Sequence, residues 1–181
     1  CAASCELAGR CPNRSRALDS RTCVRPMVRC SRVIKPTIIG WREWVGVPEL
    51  QRGPLLAKID TGAWSNTLHA VDIEIVEGEL ESRVRFRQED EGPIIERPLH
   101  KWRRVRDTGG HESMRPVIRT TLEMASFDFD VEMCLADRSM MRHRLILGRN
   151  FLRLGFIINP SRQCVHTMIR SDVRATVRRV E

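Results

Sequence analysis

Hydrophobic and polar residues alternate over short stretches of this chain, and residues typical of turns separate the stretches. The clearest example is residues 127–135, where every second residue is apolar and Asp128, Asp130 and Glu132 lie between them. Strict alternation is typical of a strand that buries one face and exposes the other. The Ala125-Ser126 pair before this segment predicts a turn.

Shorter segments of the same kind occur along most of the chain. We predict strands within residues 33–44, 67–76, 84–86, 94–95, 116–124, 145–147, 156–158 and 164–168, with a further strand ending at Lys58 to Asp60. In residues 67–76 we expect Val71, Ile73 and Ile75 to share one face. Residues 103–112 are polar and predict a loop, and residues 150–154 predict a short helix. Many short strands with little helix favour an all-β barrel or sandwich.

The length of the chain, 181 residues, is that of one domain with its own hydrophobic core. Five of the seven cysteines lie in residues 1–32, which are rich in arginine and lack hydrophobic periodicity. Their spacing contains no C-x-x-C pair, so it does not predict a zinc site. We expect a disordered extension over residues 1–32, of which 1–26 precede Met27 and lie outside the native domain. The folded domain is expected over residues 33–170, and a basic tail over 171–181.

The formal net charge is +8, which is compatible with an anionic partner. No recognition helix, zinc-finger spacing or aromatic RNA platform accompanies the charge, so we expect no nucleic-acid partner and consider an acidic peptide equally compatible. No apolar run approaches the roughly 20 residues that span a bilayer, so we expect no membrane partner. Cys134 and Cys164 lie in strand-like stretches and are expected to be reduced core residues, which favours a cytoplasmic location.

A catalytic group is suggested by the apolar run of residues 55–59, which ends in Asp60-Thr61-Gly62-Ala63. This order delivers one carboxylate into a sharp turn, and Gly62 lets a substrate or another backbone approach because it has no Cβ. A carboxylate in such a place can act as a general acid or base. Taken alone, however, Asp-Thr-Gly is an ordinary β-turn sequence.

A second segment adds weight to the first: the apolar residues 145–147 end in Gly148-Arg149-Asn150. Together the two segments resemble the retropepsin-like aspartic proteases, in which an apolar-Gly-Arg-(Asp/Asn) strand passes behind an Asp-Thr-Gly-Ala turn. Residues 38–44, 68–70, 107–111 and 117–120 are also similar to one bacterial and archaeal family of this class. That family was formerly labelled "ATP-dependent zinc protease" and is often associated with the RimK-type glutamate ligase. The resemblance covers roughly residues 37–161.

The resemblance implies a closed retropepsin-like barrel and an aspartic endopeptidase that hydrolyses peptide bonds in peptides or proteins. Such an enzyme needs two carboxylates that share a proton and activate a water. Asp60, Thr61 and Gly62 are the expected catalytic residues, and Ala63 follows them in the binding turn. We expect the second carboxylate to be Asp60 of another copy, so the active form is predicted to be a homodimer. The resemblance also implies that the Thr61 hydroxyl reaches across the dimer axis and that Gly148 lies tightly behind the turn.

Three further positions are candidates for binding. Asp107-Thr108-Gly109-Gly110 repeats the motif, but it follows a run of arginines instead of an apolar strand. We therefore interpret it as a loop, which is either a flap over the cleft built on Gly109 and Gly110 or a plain hairpin turn. His69 and His111 are candidate cleft residues that bind substrate carboxylates, although a lone histidine on a strand is more often structural.

The older family label raises two other activities. His111-Glu112 begins like H-E-x-x-H, but Arg115 occupies the position of the second histidine. No G-x-x-x-x-G-K-[ST] sequence is present, and we expect neither a metal nor another cofactor. A zinc-dependent peptidase remains an alternative from the label alone. A second alternative is a binding module with a weak or inactive site that docks on an acidic, glutamate-rich partner protein.

Overall fold

The computed structural model describes residues 36–50, 53–106 and 109–166. Within these ranges the chain forms twelve β-strands and one short helix. The strands are β1 (Thr37–Gly40), β2 (Arg42–Gly46), β3 (Pro54–Ile59), β4 (Asn66–His69), β5 (Val71–Val76), β6 (Arg83–Arg87), β7 (Ile95–Pro98), β8 (Lys101–Arg106), β9 (Glu112–Met124), β10 (Phe127–Ala136), β11 (Leu145–Leu147) and β12 (Phe156–Asn159); the helix is α1 (Arg149–Leu152). The mostly-β prediction with one short helix is confirmed. The predictions for residues 1–32, Asp107 and residues 171–181 lie outside the described residues.

The main sheet has seven strands in the order β10-β4-β11-β3-β2-β9-β8. Strand β9 also pairs with β10 along most of its length, and it pairs with β2 at Glu123 and Gly46. The strand pairing therefore runs from β10 through β4, β11, β3, β2 and β9 back to β10. Two smaller sheets accompany it, a parallel pair β1-β12 and an antiparallel set β5-β6-β7. The middle of the main sheet is β3, which lies between β2 and β11.

The core lies between these strands and is almost entirely apolar. Its aromatic part joins three elements: the ring of Phe129 packs edge-on against Phe151 of α1 at 5.2 Å, and Phe151 stacks on Phe156 of β12 at 5.0 Å. Such contacts add to the burial of the rings themselves. The short helix is therefore fixed by packing, since four residues cannot form a stable helix by propensity alone.

The alternation predicted for residues 127–135 is confirmed in β10. Val131, Met133 and Leu135 are buried, and only Phe127 at the strand's beginning is half-exposed. The turn before it has positive φ angles at both Ala125 (53°) and Ser126 (67°). Positive φ at both central residues is the geometry of the tight hairpin turn that matches strand twist.

The prediction of one strand over residues 67–76 was wrong. The chain breaks at Ala70 into β4 and β5, and Asp72 has φ 51°, where the register with β6 shifts. Ile73 is consequently 37% exposed and does not share a buried face with Val71 and Ile75, which are half-buried. The period of two in the sequence continues through a bulge, and periodicity alone cannot detect a bulge.

Two further predictions, one of a loop and one of a strand, were also wrong. Residues 103–112 do not form one polar loop, because β8 and β9 extend into them as an antiparallel hairpin. Their charged side chains hide the strand pattern, since Arg103 turns inward to an ion pair with Glu132. Residues 164–166, the described part of the predicted last strand, form no strand; Cys164 and Val165 instead donate backbone hydrogen bonds to Arg42 O and Glu43 Oε1.

Candidate active site

The turn that carries Asp60 is held by the two strands on either side of β3. Strand β11 runs parallel to β3 and pairs Leu147 with Ile59, and the Asp60 backbone N–H donates to Leu147 O at 2.9 Å. The chain at the beginning of β2 supports the other side, where the Ile59 N–H donates to the oxygen of Trp41, directly before that strand, at 2.9 Å. The Asp60 side chain is 26% exposed and therefore accessible from solvent. An apolar strand thus places one carboxylate at the surface with a fixed backbone.

The two oxygens of the Asp60 carboxylate have different surroundings. Oδ1 accepts hydrogen bonds from the backbone N–H groups of Gly62 (3.1 Å) and Ala63 (3.3 Å). Oδ2 lies 3.3 Å from the ammonium of Lys58. Thr61 and Gly62 are exposed. The turn therefore fixes the carboxylate through one oxygen and presents the other to a cation and to solvent.

Gly148 supports the turn from behind, as the sequence predicts. Its N–H donates to Asn66 Oδ1 at 3.0 Å, and the Asn66 amide in turn donates to Glu132 O at 3.0 Å. The next residue, Arg149, donates its backbone N–H to Ala63 O at 2.9 Å. The junction between β11 and α1 is thus tied by hydrogen bonds to Ala63 and Asn66, shortly after Asp60.

Asn66 is a site residue that the sequence analysis did not identify. It is 1% exposed, and its single amide group joins the end of β11 to β10. The only signal in the sequence was its nearness to the motif, because an asparagine in a polar stretch otherwise predicts a turn.

Cations lie around Asp60. The sequence analysis did not identify them as site residues, because they come from separate segments of the chain. Besides Lys58, Arg138 interacts electrostatically with Asp60 and with Arg115. Burial is the main cause that lowers the pKa of Arg138, Arg115 lowers it further, and Asp60 raises it. The Arg138 Nε donates to the backbone oxygen of His143 at 3.0 Å. Lys58 and Arg138 therefore place positive charge around the Asp60 carboxylate.

His143 lies in the same group of charges. Its ring is edge-on to Trp41 at 6.2 Å. Burial lowers the pKa of His143, and the positive charges of Arg142, Arg42, Lys58 and Arg138 lower it further. These charges favour the neutral imidazole, which adds a polar group to the site and no further charge.

His69, a predicted cleft residue, is a buried side chain with 4% exposure. Its Nδ1 accepts a hydrogen bond from the Arg138 N–H at 2.9 Å, and burial lowers its pKa. A ring whose Nδ1 accepts carries its proton on Nε2 and is neutral. The geometry favours the structural interpretation of His69, in which it holds the loop that carries Arg138.

Gly109, Gly110 and His111 lie at the exposed tip of the β8-β9 hairpin. Gly110 has φ 87°, and its carbonyl accepts a 3.4 Å hydrogen bond from Arg106 Nε. The base of the hairpin is joined to the catalytic turn, because Arg103 donates to Ser65 Oγ at 3.2 Å. A hairpin is therefore present, and its action as a flap stays a prediction.

Among residues 36–50, 53–106 and 109–166, no group of three or more His, Cys, Asp or Glu side chains comes together as a metal site. No helix in the same part of the chain has the length and apolar character needed to cross a membrane.

Comparison with known proteins relates this site to one family. The model of the RimB-like family, described as retropepsin-like aspartic endopeptidase RimB, matches residues 38–168. That range includes the Asp60 turn, the hairpin and the strand that ends in Gly148.

Similar proteins were found among curated sequences and solved structures. A protein of Desulfotalea psychrophila named "Probable alpha-L-glutamate ligase" is 33% identical over 140 residues, which cover 74% of this chain and 30% of that protein. A protein of the same name from Parasynechococcus marenigrum is 30% identical and covers 68% and 28%. The chain thus spans less than a third of the length of these relatives. The crystal structure of Lpg0085, a Legionella pneumophila protein of unknown function, has a TM-score of 0.60 with 25% identity and covers 71% of this chain and 97% of that one.

Proposed function

Because the chain belongs to the RimB-like family of retropepsin-like aspartic endopeptidases, we propose that it hydrolyses peptide bonds with a water activated by Asp60. The observation that carries the proposal is the fixed, solvent-accessible Asp60 carboxylate, with the Leu147–Gly148 backbone directly behind it. We also propose that the cyclic strand pairing of the main sheet is a closed retropepsin-like barrel. In that fold the water lies between two carboxylates, one of which accepts its proton while the other hydrogen-bonds the substrate carbonyl.

The second carboxylate is proposed to come from Asp60 of another copy. Among the described residues, no other carboxylate is hydrogen-bonded to Asp60, whose partners are Lys58, Gly62 and Ala63. A two-fold axis beside the turn makes the two aspartates equivalent. Exposed Thr61 and Gly62 leave room for such an approach, and the Thr61 hydroxyl is then placed to contact the partner turn. The homodimer is the proposed active form.

The proposed substrate is an acidic peptide or a glutamate-rich protein segment. Its support is electrostatic, because Lys58 and Arg138 are cations that interact with Asp60 in a chain of net charge +8. Positive groups around a cleft raise the local concentration of anionic ligands. The proposed cleavage of glutamate-rich segments would oppose the activity named for the ligase relatives. A cytoplasmic location remains a prediction.

The proposal is tested by incubating wild type and Asp60→Asn with a diverse peptide pool and identifying the cleavage sites by mass spectrometry. Asp60→Asn is expected to abolish cleavage, and Asp90→Asn, which changes an exposed loop aspartate, is the control that retains it. Cleavage that survives in Asp60→Asn would contradict the assignment. Sedimentation of the active fractions tests the dimer, since an active species that is strictly monomeric would disprove it.

A second function is favoured by one observation: Lys58 is within ion-pair distance of Asp60 Oδ2, an arrangement that a non-catalytic domain could keep permanently. In that case the chain is a binding module for an acidic partner protein. Asp60→Asn distinguishes the two functions, because a module keeps its partner affinity while an enzyme loses cleavage.

A further inference from the structure

Lys58 and Asp60 are two positions apart at the end of β3, and their side chains extend to the same side. The Lys58 ammonium lies 3.3 Å from Asp60 Oδ2. In the described part of the chain, Asp60 is the one carboxylate at ion-pair distance from Lys58. The two side chains are 43% and 26% exposed, so the pair is open to solvent and to an incoming ligand.

This contact conflicts with the chemistry of a carboxylate pair. Oδ1 already accepts two backbone N–H groups, and Oδ2 faces an ammonium, which has three donors and no acceptor. The Lys58 ammonium therefore occupies the oxygen that a second carboxyl group would have to meet. In a symmetric dimer the same contact blocks both aspartates, whereas an aspartic dyad needs its two carboxyl groups in contact, with one proton shared between them.

Catalysis therefore requires Lys58 to leave Oδ2 and find another anionic partner. The lysine side chain is long and flexible, and its exposure leaves space for that movement. Arg138 interacts electrostatically with Asp60, and its guanidinium has no carboxylate at ion-pair distance among the described residues. A carboxylate that approaches Asp60 is therefore attracted by two cations.

We propose that the Lys58–Asp60 ion pair is a latch that an acidic residue of the substrate opens. The substrate carboxylate takes over the Lys58 ammonium, and Asp60 Oδ2 is then free to meet the Asp60 carboxyl group of the other copy. Only ion pairs are exchanged in this step, and no covalent bond forms or breaks. The latch makes an acidic residue beside the scissile bond a requirement for turnover in addition to binding. This inference rests on the proposed peptidase function.

The kinetic test uses two peptides that differ only in Glu or Gln beside the scissile bond, with wild type, Lys58→Met and Lys58→Arg. Wild type and Lys58→Arg are expected to prefer the Glu peptide in kcat/KM by about tenfold or more, a difference of roughly 1.4 kcal/mol. Lys58→Met is expected to cleave the Gln peptide faster than wild type does, so that the preference disappears. If Lys58→Met slows both peptides equally, or slows only the Glu peptide without a gain on Gln, the latch is disproved.

A second measurement tests the latch without peptide cleavage. Uncleavable reduced-amide versions of both peptides are added to wild type, and the NMR signals of the Asp60 carboxyl carbon and the Lys58 ammonium are followed. The latch predicts that both signals shift with the Glu peptide and stay in place with the Gln peptide. Binding of the Glu peptide without these shifts overturns it. If no peptide in the pool is cleaved, the peptidase proposal fails, while the NMR comparison still shows whether a carboxylate displaces Lys58.

Discussion

The α carbon of Gly148 packs against the backbone of Ser65, and a β carbon added to Gly148 would lie 2.6 Å from the Ser65 carbonyl oxygen. A buried backbone oxygen directly before a strand cannot move away cheaply, unlike the end of a flexible side chain. This contact fixes the strand behind the Asp60 turn at one distance. It explains why a glycine is needed there, although the φ of Gly148 (−94°) is accessible to any residue.

Gly148→Ala is expected to destabilise the fold by about 1–3 kcal/mol, the usual cost of forcing an extra methyl group into a packed site. Urea denaturation of the two proteins measures the change. Gly62→Ala is the matched control, because its β carbon would meet only the Asp60 carboxylate at 3.3 Å. We expect that variant to keep its stability and to lose peptide cleavage. Equal stability of Gly148→Ala and wild type would contradict the packing argument.

Asn66→Ala is expected to cost about 2–4 kcal/mol, because it leaves the buried Gly148 N–H and the Glu132 carbonyl without their side-chain partner. Asn150→Ala is the control with the same chemical change nearby. The Asn150 Oδ1 is buried and has no hydrogen-bond partner among the described residues, so its removal should change stability by less than about 1 kcal/mol. Thermal or urea unfolding compares the two variants, and equal losses would refute the role of Asn66.

The sequence predicted the Asp60 turn and the strand behind it because both depend on local order: an apolar run, then a turn residue. It also predicted β10, whose Val131, Met133 and Leu135 face one core. It failed at residues 67–76, since the bulge at Asp72 keeps the alternating pattern while it changes the face that is buried. Local periodicity reports the pleat of a strand and contains no information on where its register shifts.

The sequence did not predict which charged residues lie around Asp60, and the reason is a different one. Lys58, Arg115 and Arg138 come from three segments, and only the folded chain shows that Arg138 interacts with both Asp60 and Arg115. In a chain with 31 lysine and arginine residues, no single one is conspicuous. For His69 the sequence left a cleft role and a structural role open, and its burial favours the structural role that is more usual for a lone histidine on a strand.

Glu43→Gln is expected to loosen the chain segment that follows β12. The Glu43 carboxylate is fully buried and accepts backbone hydrogen bonds from Gly40 (2.6 Å), Val165 (3.0 Å) and His166 (3.0 Å). An amide can accept through only one of its two groups, so at least one of these donors is left unpaired. The expected cost is about 1–3 kcal/mol.

Hydrogen exchange at the amides of Val165 and His166 measures the effect of Glu43→Gln directly, and it should become faster at these two positions. The control is Glu96→Gln, which removes an exposed carboxylate paired with Arg83 and Arg85. Exposed pairs contribute about 0–1 kcal/mol, so this control should leave both exchange and stability nearly unchanged. Unchanged exchange in Glu43→Gln would show that the carboxylate does not hold the segment.

The Glu132 carboxylate predicts a pH dependence of stability. Burial raises its pKa, but hydrogen bonds and charges from Lys101 and Arg103 lower it more, to about 2. Because this folded-state pKa is below the unfolded value near 4.5, the contribution is complete above pH 4.5 and is lost as the pH falls toward 2. Allowing for solvent screening, it amounts to about 2 kcal/mol. The difference in unfolding free energy between wild type and Glu132→Gln should therefore shrink as the pH falls, and a constant difference would contradict the ion-pair account.

Trp64→Ala is expected to weaken the proposed homodimer more than an alanine substitution of an exposed residue far from the turn does. Trp64 is only four residues after Asp60 and is 52% exposed, and the guanidinium groups of Arg149 and Arg153 lie over its ring at 5.7 and 5.9 Å. If a two-fold axis brings two Asp60 carboxylates together, a large side chain this close to Asp60 must lie in or beside the interface. An exposed aromatic ring there is the type of residue that contributes most to protein–protein binding.

Sedimentation measures the effect of Trp64→Ala, with Leu80→Ala as the control, because Leu80 is fully exposed in the loop between β5 and β6. The dissociation constant of Trp64→Ala should rise at least about tenfold, which corresponds to roughly 1.4 kcal/mol. The cleavage rate at low protein concentration should fall in parallel and recover at high concentration, because the catalytic turn itself is intact. Since Asp60 can meet its symmetry mate only in the dimer, an activity loss that does not recover at high concentration would show that Trp64 acts on the turn instead of on the interface.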